Sequence, residues 1–459
     1  MFRTKSYASR LSEAESDGIC TSFPPLGAIT NAWRGDPYRI DTLLIFMANM
    51  AWNSTMNTVE VRRMLNDRDE NGEYKIPFIV VADAFHSEMT AYADLLLPDT
   101  TYLERHDVMS LLDRPISEFD GPVDSVRIPV VPPTGQCKPF QDVLIELGTR
   151  LKLPAFVNKD GSRKFRDYPD FIVNYETEPG SGIGFLAGWR GRGGEKSLRG
   201  EPNPRQWEMY AQNDCVFHYK LPKSYQYMRN WNKGYLEWSQ RNRITRYSDP
   251  ILIHLYSEVL QKFRLAAQGK GIGRKPPPHL RQRIATYFDP LPFYYEPLEA
   301  QVTDRIRYPL AAVTQRPMAM YHSWDSQNAW LRQIHTYNTL FVNDATARAH
   351  GIGDGDWIWV ESQWGKVRCI ARLSQAVEPG TVWTWNAIGK APGAWNLAPD
   401  ANEARLGFLL NHLIADELPV AGGRISNSDP ITGQAAWYDV RVRIYRDSDQ
   451  SGATAPRFE

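Results

Sequence analysis

The chain has 459 residues, and its 53 Lys and Arg balance 53 Asp and Glu, so no basic field points to nucleic acid or an acidic membrane surface. Its four cysteines, Cys20, Cys137, Cys215 and Cys369, form no CxxC pair, so the sequence offers no metal ligand set, no cluster site and no disulfide framework. The longest apolar run, "LLIFMANMAW" at 43–52, is about half of the roughly 20 residues a membrane-spanning helix needs, so no direct span is expected.

The polar N-terminus "MFRTKSYASRLSEAESDG" has no apolar core of a secretory signal. Two short β-branched runs follow, "DTLLIFMAN" (41–49) and "IPFIVVADAF" (76–85), and "NTVEVRRMLNDRDENGEY" lies between them with helical spacing and a closing turn. Strand, helix, strand in about 45 residues reads as a right-handed βαβ unit with parallel strands. Both strands end in polar loops, where such sheets receive nucleotides. "PFQDVLIELGTRLKL" (139–153) reads as a helix that closes the unit. From about 154 to 304 the chain is rich in Tyr, Trp, Pro and Gly and reads as an insertion or interface region; its clearest element is an amphipathic helix over 250–268.

From about 305 the pattern turns to β. "RYPLAAVTQR", "TLFVN", "DWIWVES", "GKVRCIARLS", "TVWTWNAI" and "DVRVRIYR" read as strands, interrupted by one helix over 344–351 with Asn343 or Asp344 as N-cap and Gly351 as stop. Six strands with one short helix suggest a closed barrel. The fold class is therefore α/β plus all-β, with domains at 1–153, 154–304 and 305–459.

With these residues laid out, "DAFHSEMTAYADLLLPDTTYLE" (83–104) resembles a motif of the molybdopterin oxidoreductases related to dimethyl sulfoxide reductase, with Asp83, Glu88, Thr90, Ala93, Asp94, Leu97, Pro98 and Glu104 in place. "VNDATARAHGIGDGDWIWVESQWGKVRCIARLSQAVEPGTV" (342–382) is similar to the same family's C-terminal dinucleotide-binding barrel, which implies a double-psi-like topology. The resemblance covers the C-terminal half of a typical catalytic subunit. In the family the N-terminal half carries a [4Fe-4S] cluster and the protein ligand to molybdenum, and neither motif occurs here. "LPDTTYLERHDVMSLLDRPISE" and "GFLAGWRGRGG" look most like the branch acting on sulfur oxyanions, although His106-Asp107 stand where many relatives have glycine.

The resemblance implies a cofactor, molybdenum bis(molybdopterin guanine dinucleotide), and candidate residues to hold it. Asp83 would accept hydrogen bonds from a guanine edge, while Glu88 and Thr90 either order the loop or cap the next helix. Asn49 matches the Asn of an Asn-Pro loop, with Met50 in place of the proline. In "VTQRPMAMYHSWDSQ" (313–327), Gln315, Arg316, Tyr321, His322 and Ser323 fall on the pterin-contacting loop, and His322 is also the candidate to move protons. Asn411 fits the family's pterin-binding Asn; Asn386 is either a second contact or a turn residue.

The implied function is that of a C-terminal segment of a catalytic subunit, inactive by itself, acting on a sulfur oxyanion once joined to the N-terminal half. The implied partners are that half, a ferredoxin-like iron–sulfur subunit, and a quinone-linked membrane subunit, which would place the chain in the cytoplasm at the inner face of the membrane. The rival readings are a module that only binds cofactor or partners, and a sibling enzyme acting on formate, nitrate or arsenate.

Overall fold

The computed structural model describes residues 28–35, 38–110, 122–218, 233–244, 256–270, 275–276, 278–320, 328–420, 423–433, 440–451 and 458–459. Two compact units emerge, Met1–Leu96 with Leu255–Glu459, and Leu97–His254. The segment 97–153, read from the sequence with the first domain, falls in the second unit.

The first unit begins with helix α1 (Ala28–Arg34), strand β1 (Leu43–Phe46), helix α2 (Thr58–Asn66) and strand β2 (Ile79–Asp83). β1 and β2 pair in parallel, Leu43 opposite Ile79 and Phe46 opposite Ala82, and β3 (Leu95–Pro98) follows on the other edge of β2. Alternation puts Ile45, Ile79 and Val81 on one face, against Ile29 and Ala32 of α1 and Val61, Met64 and Leu65 of α2. Asn57 starts α2 by accepting a hydrogen bond from Glu60 N. Asp94 fixes the start of β3, its carboxylate accepting from Ile79 N at 2.8 Å and its own N–H donating to Ile79 O.

The second unit holds an antiparallel sheet of β4 (Asp107–Ser110), β5 (Pro122–Arg127) and β6 (Val216–His218), with helices α3 (Phe140–Arg150), α4 (Tyr168–Asn174) and α5 (Gln206–Gln212). Its core gathers Val126, Ile172, Leu186, Tyr210 and Phe217 around the buried Asp124, whose carboxylate accepts from Ala187 N, Gly188 N and the Tyr210 hydroxyl. A side chain at Gly188 would meet the Phe217 ring and the Tyr210 oxygen at 2.6 Å. The glycines of "GFLAGWRGRGG" therefore serve close packing here.

The chain returns to the first unit with α6 (Glu258–Ala267) and α7 (Pro278–Tyr287), which meet through Ala267, Ile284 and Phe288. The periodic stretch 250–268 becomes helical at Glu258 because Ser257 supplies the cap; 250–255 lie outside the described residues. The six strands expected in the C-terminal third are β7 (Leu310–Gln315), β8 (Leu340–Val342), β9 (Trp357–Glu361), β10 (Lys366–Leu373), β11 (Thr381–Trp385) and, after the hairpin β12 (Glu417–Val420) and β13 (Gly423–Ser426), β14 (Arg441–Arg446). They close into a barrel in the order β10-β8-β11-β7-β14-β9, with parallel pairs β8/β10 and β7/β11. Helix α8 (Asp344–Ala349) is capped by Asn343 and stopped by Gly351 at φ +64°. Alternate residues fill the barrel, among them Leu340, Val342, Ile358, Val360, Val367, Cys369 and Val382. Burial pushes the Cys369 thiol well above its ordinary range, so it stays protonated. The buried Arg368 pairs with Asp447 and donates to Asp449 O at 2.6 Å, so no charge is stranded beneath the barrel wall.

α1 is tied to the barrel half by Thr30 Oγ1, which donates to Asp416 Oδ2 at 2.5 Å, while Asp416 Oδ1 is buried without a partner. Burial raises the Asp416 carboxyl from its ordinary 3.8 to about 6. A raised folded-state value means that this group favours the fold fully below about pH 4 and that the advantage is lost as pH climbs through 6. Asp416→Asn is therefore expected to raise the urea midpoint at pH 7.5 and leave it nearly unchanged at pH 4; equal shifts at the two pH values would contradict this.

Candidate functional site

Strand β11 ends at Trp385, and the chain then runs as a strap, 386–396, over the seam between the parallel sheet and the barrel. Three of its residues without glycine's freedom, Ala387 (φ +61°), Trp395 (φ +59°) and Asn396 (φ +57°), hold left-handed backbone. Such residues each cost on the order of 1–3 kcal/mol and persist where surrounding contacts fix them. The contacts are present: Asn386 N donates to Gln315 O, Trp52 Nε1 donates to Gly389 O at 2.8 Å, and Trp395 N donates to His86 O at 2.7 Å. Gly389 must be glycine, because a Cβ there would lie 2.5 Å from Phe408 N.

The strongest pin is Glu88, which lies in the 3₁₀ turn Glu88–Tyr92 just past β2 and is 5% exposed. Its Oε1 accepts from Ala391 N at 3.0 Å, and its Oε2 accepts from Trp395 Nε1 at 2.8 Å and Asn49 Nδ2 at 2.6 Å. Asn49 completes the joint, its Oδ1 accepting from Met89 N at 3.1 Å. One carboxylate thus ties the loop after β1, the turn after β2 and the strap.

On one side of this joint lies a cavity of about 250 Å³ lined by Asn53, Arg316, Asn386 and Asn411 among apolar residues such as Leu410 and Ile414. Asn411 Nδ2 donates to Thr55 O at 2.8 Å, which seats the cavity floor on the loop after β1. The amide oxygens of Asn53 and Asn386 are buried with no hydrogen-bond partner. Each unmet polar atom costs about 1–3 kcal/mol, a cost that a donor reaching either oxygen would relieve. A second cavity, of about 210 Å³, is lined by Trp52, Arg62, His86, Glu88 and strap residues Ala391 and Gly393, beyond the carboxyl end of β2.

The structure brings Arg316, Asn386 and Asn411 to the first cavity and leaves Gln315 exposed at the end of β7. Asn49 and Glu88 spend their polar atoms on each other and on the strap. Thr90 Oγ1 donates to Ser87 O at 2.7 Å, and Asp83 accepts from Phe85 N and Ser87 Oγ, so both order the turn. Glu88 reaches across to the strap instead of capping its own turn. Tyr321, His322 and Ser323 lie outside the described residues. Among the described residues no group of His, Cys, Asp and Glu is arranged to hold a metal ion. Sequence alone did not single out Asn53, Trp52, Trp395 or Lys390; the signal for the last was a lone lysine in "NAIGKAPGAWN", a run otherwise of small or apolar residues.

Residues 37–150 match the Molybdopterin oxidoreductase family, and residues 310–422 match the Molydopterin dinucleotide binding domain. Over 434 residues the chain is 73% identical to a sulfite dehydrogenase subunit of Allochromatium vinosum, covering 94% of this chain. The chain belongs to the molybdopterin oxidoreductases. It is also 25% identical over 361 residues to the thiosulfate reductase molybdopterin-containing subunit of Salmonella typhimurium, covering 76% of this chain. Among solved structures it matches acetylene hydratase from Pelobacter acetylenicus with TM-score 0.59 and 19% identity, over 92% of this chain and 46% of that one, a likeness of fold. The chain spans 45% of the length of the first relative and 38% of the second, less than half of either.

The cofactor of these matched domains is molybdenum bis(molybdopterin guanine dinucleotide). The first cavity fits part of such a group: two unmet amide oxygens suit the N–H-bearing edge of an aminopyrimidine, and the Arg316 guanidinium suits phosphate oxygens.

Glu88→Gln replaces one acceptor oxygen by a donor facing donors. It is expected to lower stability by about 1–3 kcal/mol and to speed hydrogen–deuterium exchange of the Ala391 amide. Unchanged exchange at Ala391 would remove Glu88 from the role given to it.

Proposed function

We propose that this chain is the C-terminal segment of a molybdenum oxidoreductase catalytic subunit that oxidises sulfite, or acts on a related sulfur oxyanion, once joined to the segment that ligates the metal. The observation that carries the substrate class is the 73% identity to a sulfite dehydrogenase subunit over 94% of the chain. The reaction would be sulfite plus water giving sulfate, two protons and two electrons, with the bound cofactor supplying the redox chemistry.

The chain's own residues would bind and orient. Asn53, Asn386 and Asn411 would hold the pterin edge, and Arg316, with Gln315 and the Tyr321–Ser323 segment, the pyrophosphate or pterin oxygens. Asp83 and the second cavity, at the carboxyl end of β2, would face the nucleotide. His322 is the group proposed to move a proton near neutral pH. Electrons would leave through a ferredoxin-like iron–sulfur subunit to a quinone-linked membrane subunit, which would hold the complex at the inner face of the membrane. Among the described residues no helix is long and apolar enough to cross one.

The test is co-expression of this chain with the upstream half of a related subunit, followed by assay with a quinone analogue. The rejoined protein is expected to oxidise sulfite, and the chain alone nothing. Arg316→Ala should lower cofactor content about tenfold, the loss of one charge-assisted hydrogen bond, and Asn386→Ala by a smaller factor, the loss of a neutral one. Turnover only of formate, nitrate or arsenate, or activity in the chain alone, would refute the proposal.

A further inference from the structure

Lys390 sits at the centre of the strap, 2% exposed, in a place where an apolar side chain of the same volume would carry no desolvation cost. Its Nζ donates to the carbonyl of Ala387, three residues back, at 2.5 Å, and lies 5.3 Å from the centroid of the Trp395 ring. Its own N–H donates to Glu403 O at 3.1 Å, so the residue is fastened at both ends. Two buried carboxylates act on the ammonium, Glu88 and Glu403, and Arg332 Nε in turn lies 3.1 Å from Glu403 Oε1. Two cations and two carboxylates sum to zero, which makes the buried charge tolerable.

The carbonyl that Lys390 grips belongs to the left-handed residue next to Asn386. Ala387 itself lines the cavity beside Asn386, so the bond from Lys390 fixes the carbonyl of a strained residue in the cavity wall. We propose that Lys390 is a positioning residue for the cofactor cavity: its buried side chain locks the left-handed Ala387 turn, which with Asn386 lines the cavity. The cofactor half of this inference rests on the function proposed above, whereas the turn-locking half concerns the chain by itself.

The experiment compares Lys390→Met with Lys390→Met/Glu403→Gln, the second of which restores the buried charge balance. It reads hydrogen–deuterium exchange of the Asn386 and Ala391 amides in this chain alone, and pterin content, as the fluorescent oxidised derivative, in the rejoined subunit. Both variants are expected to speed exchange on the order of tenfold, the loss of one buried hydrogen bond, and to lower pterin content several-fold, while the double variant melts near the wild-type temperature. Return of exchange and pterin content to wild-type levels in the double variant would reduce Lys390 to a charge balancer and overturn the proposal. Unchanged exchange in Lys390→Met would overturn the lock itself. Faster exchange with full pterin content would keep the lock but break its link to the cofactor, overturning the reading of the cavity.

Discussion

A single buried carboxylate organises the first unit. Glu88 takes hydrogen bonds from Asn49, Ala391 and Trp395, which belong to segments about 40 and 300 residues away along the chain. Removing it would strand three donors in a dry joint, each worth about 1–3 kcal/mol. That sum is a large fraction of the stability of an ordinary domain. The parallel sheet contributes the carboxylate and the barrel contributes the strap, whose first residues, Asn386 and Ala387, line the cavity.

The strap explains why so much polar machinery is buried away from any ligand. Left-handed backbone at Ala387, Trp395 and Asn396 is tolerated only because Glu88, Trp52, His86 and Lys390 hold it from several sides. The strap thereby brings Asn386 and Ala387 to the cavity wall, where Asn53 joins them from the loop after β1.

The barrel was legible in the sequence because its strands alternate apolar and polar residues between turn residues, and those signals are local. All six strands and the Asn343-capped helix form where that pattern places them. The strap was not legible, since nothing near Lys390 or Trp395 announces a carboxylate some 300 positions earlier. The same blindness affected Glu88, whose local reading as a cap competed with a long-range role that only the fold reveals. In the second unit, Asp124 gathers Gly188 and Tyr210 from 64 and 86 residues away, so a stretch that reads as aromatic loops packs around a polar hub. Of the polar residues that line the cavity, Arg316, Asn386 and Asn411 were singled out through family resemblance, and Asn53 was not, because one asparagine in a loop points to no cofactor contact.

If the cavity walled by Asn53, Asn386 and Arg316 receives part of the molybdopterin dinucleotide, an experimental structure of the cofactor-loaded, rejoined subunit will show it. A cofactor nitrogen is expected within hydrogen-bond distance of the Asn386 side-chain oxygen, with the strap unchanged. A loaded subunit in which that cavity holds only water or protein side chains, with the cofactor elsewhere, would contradict it.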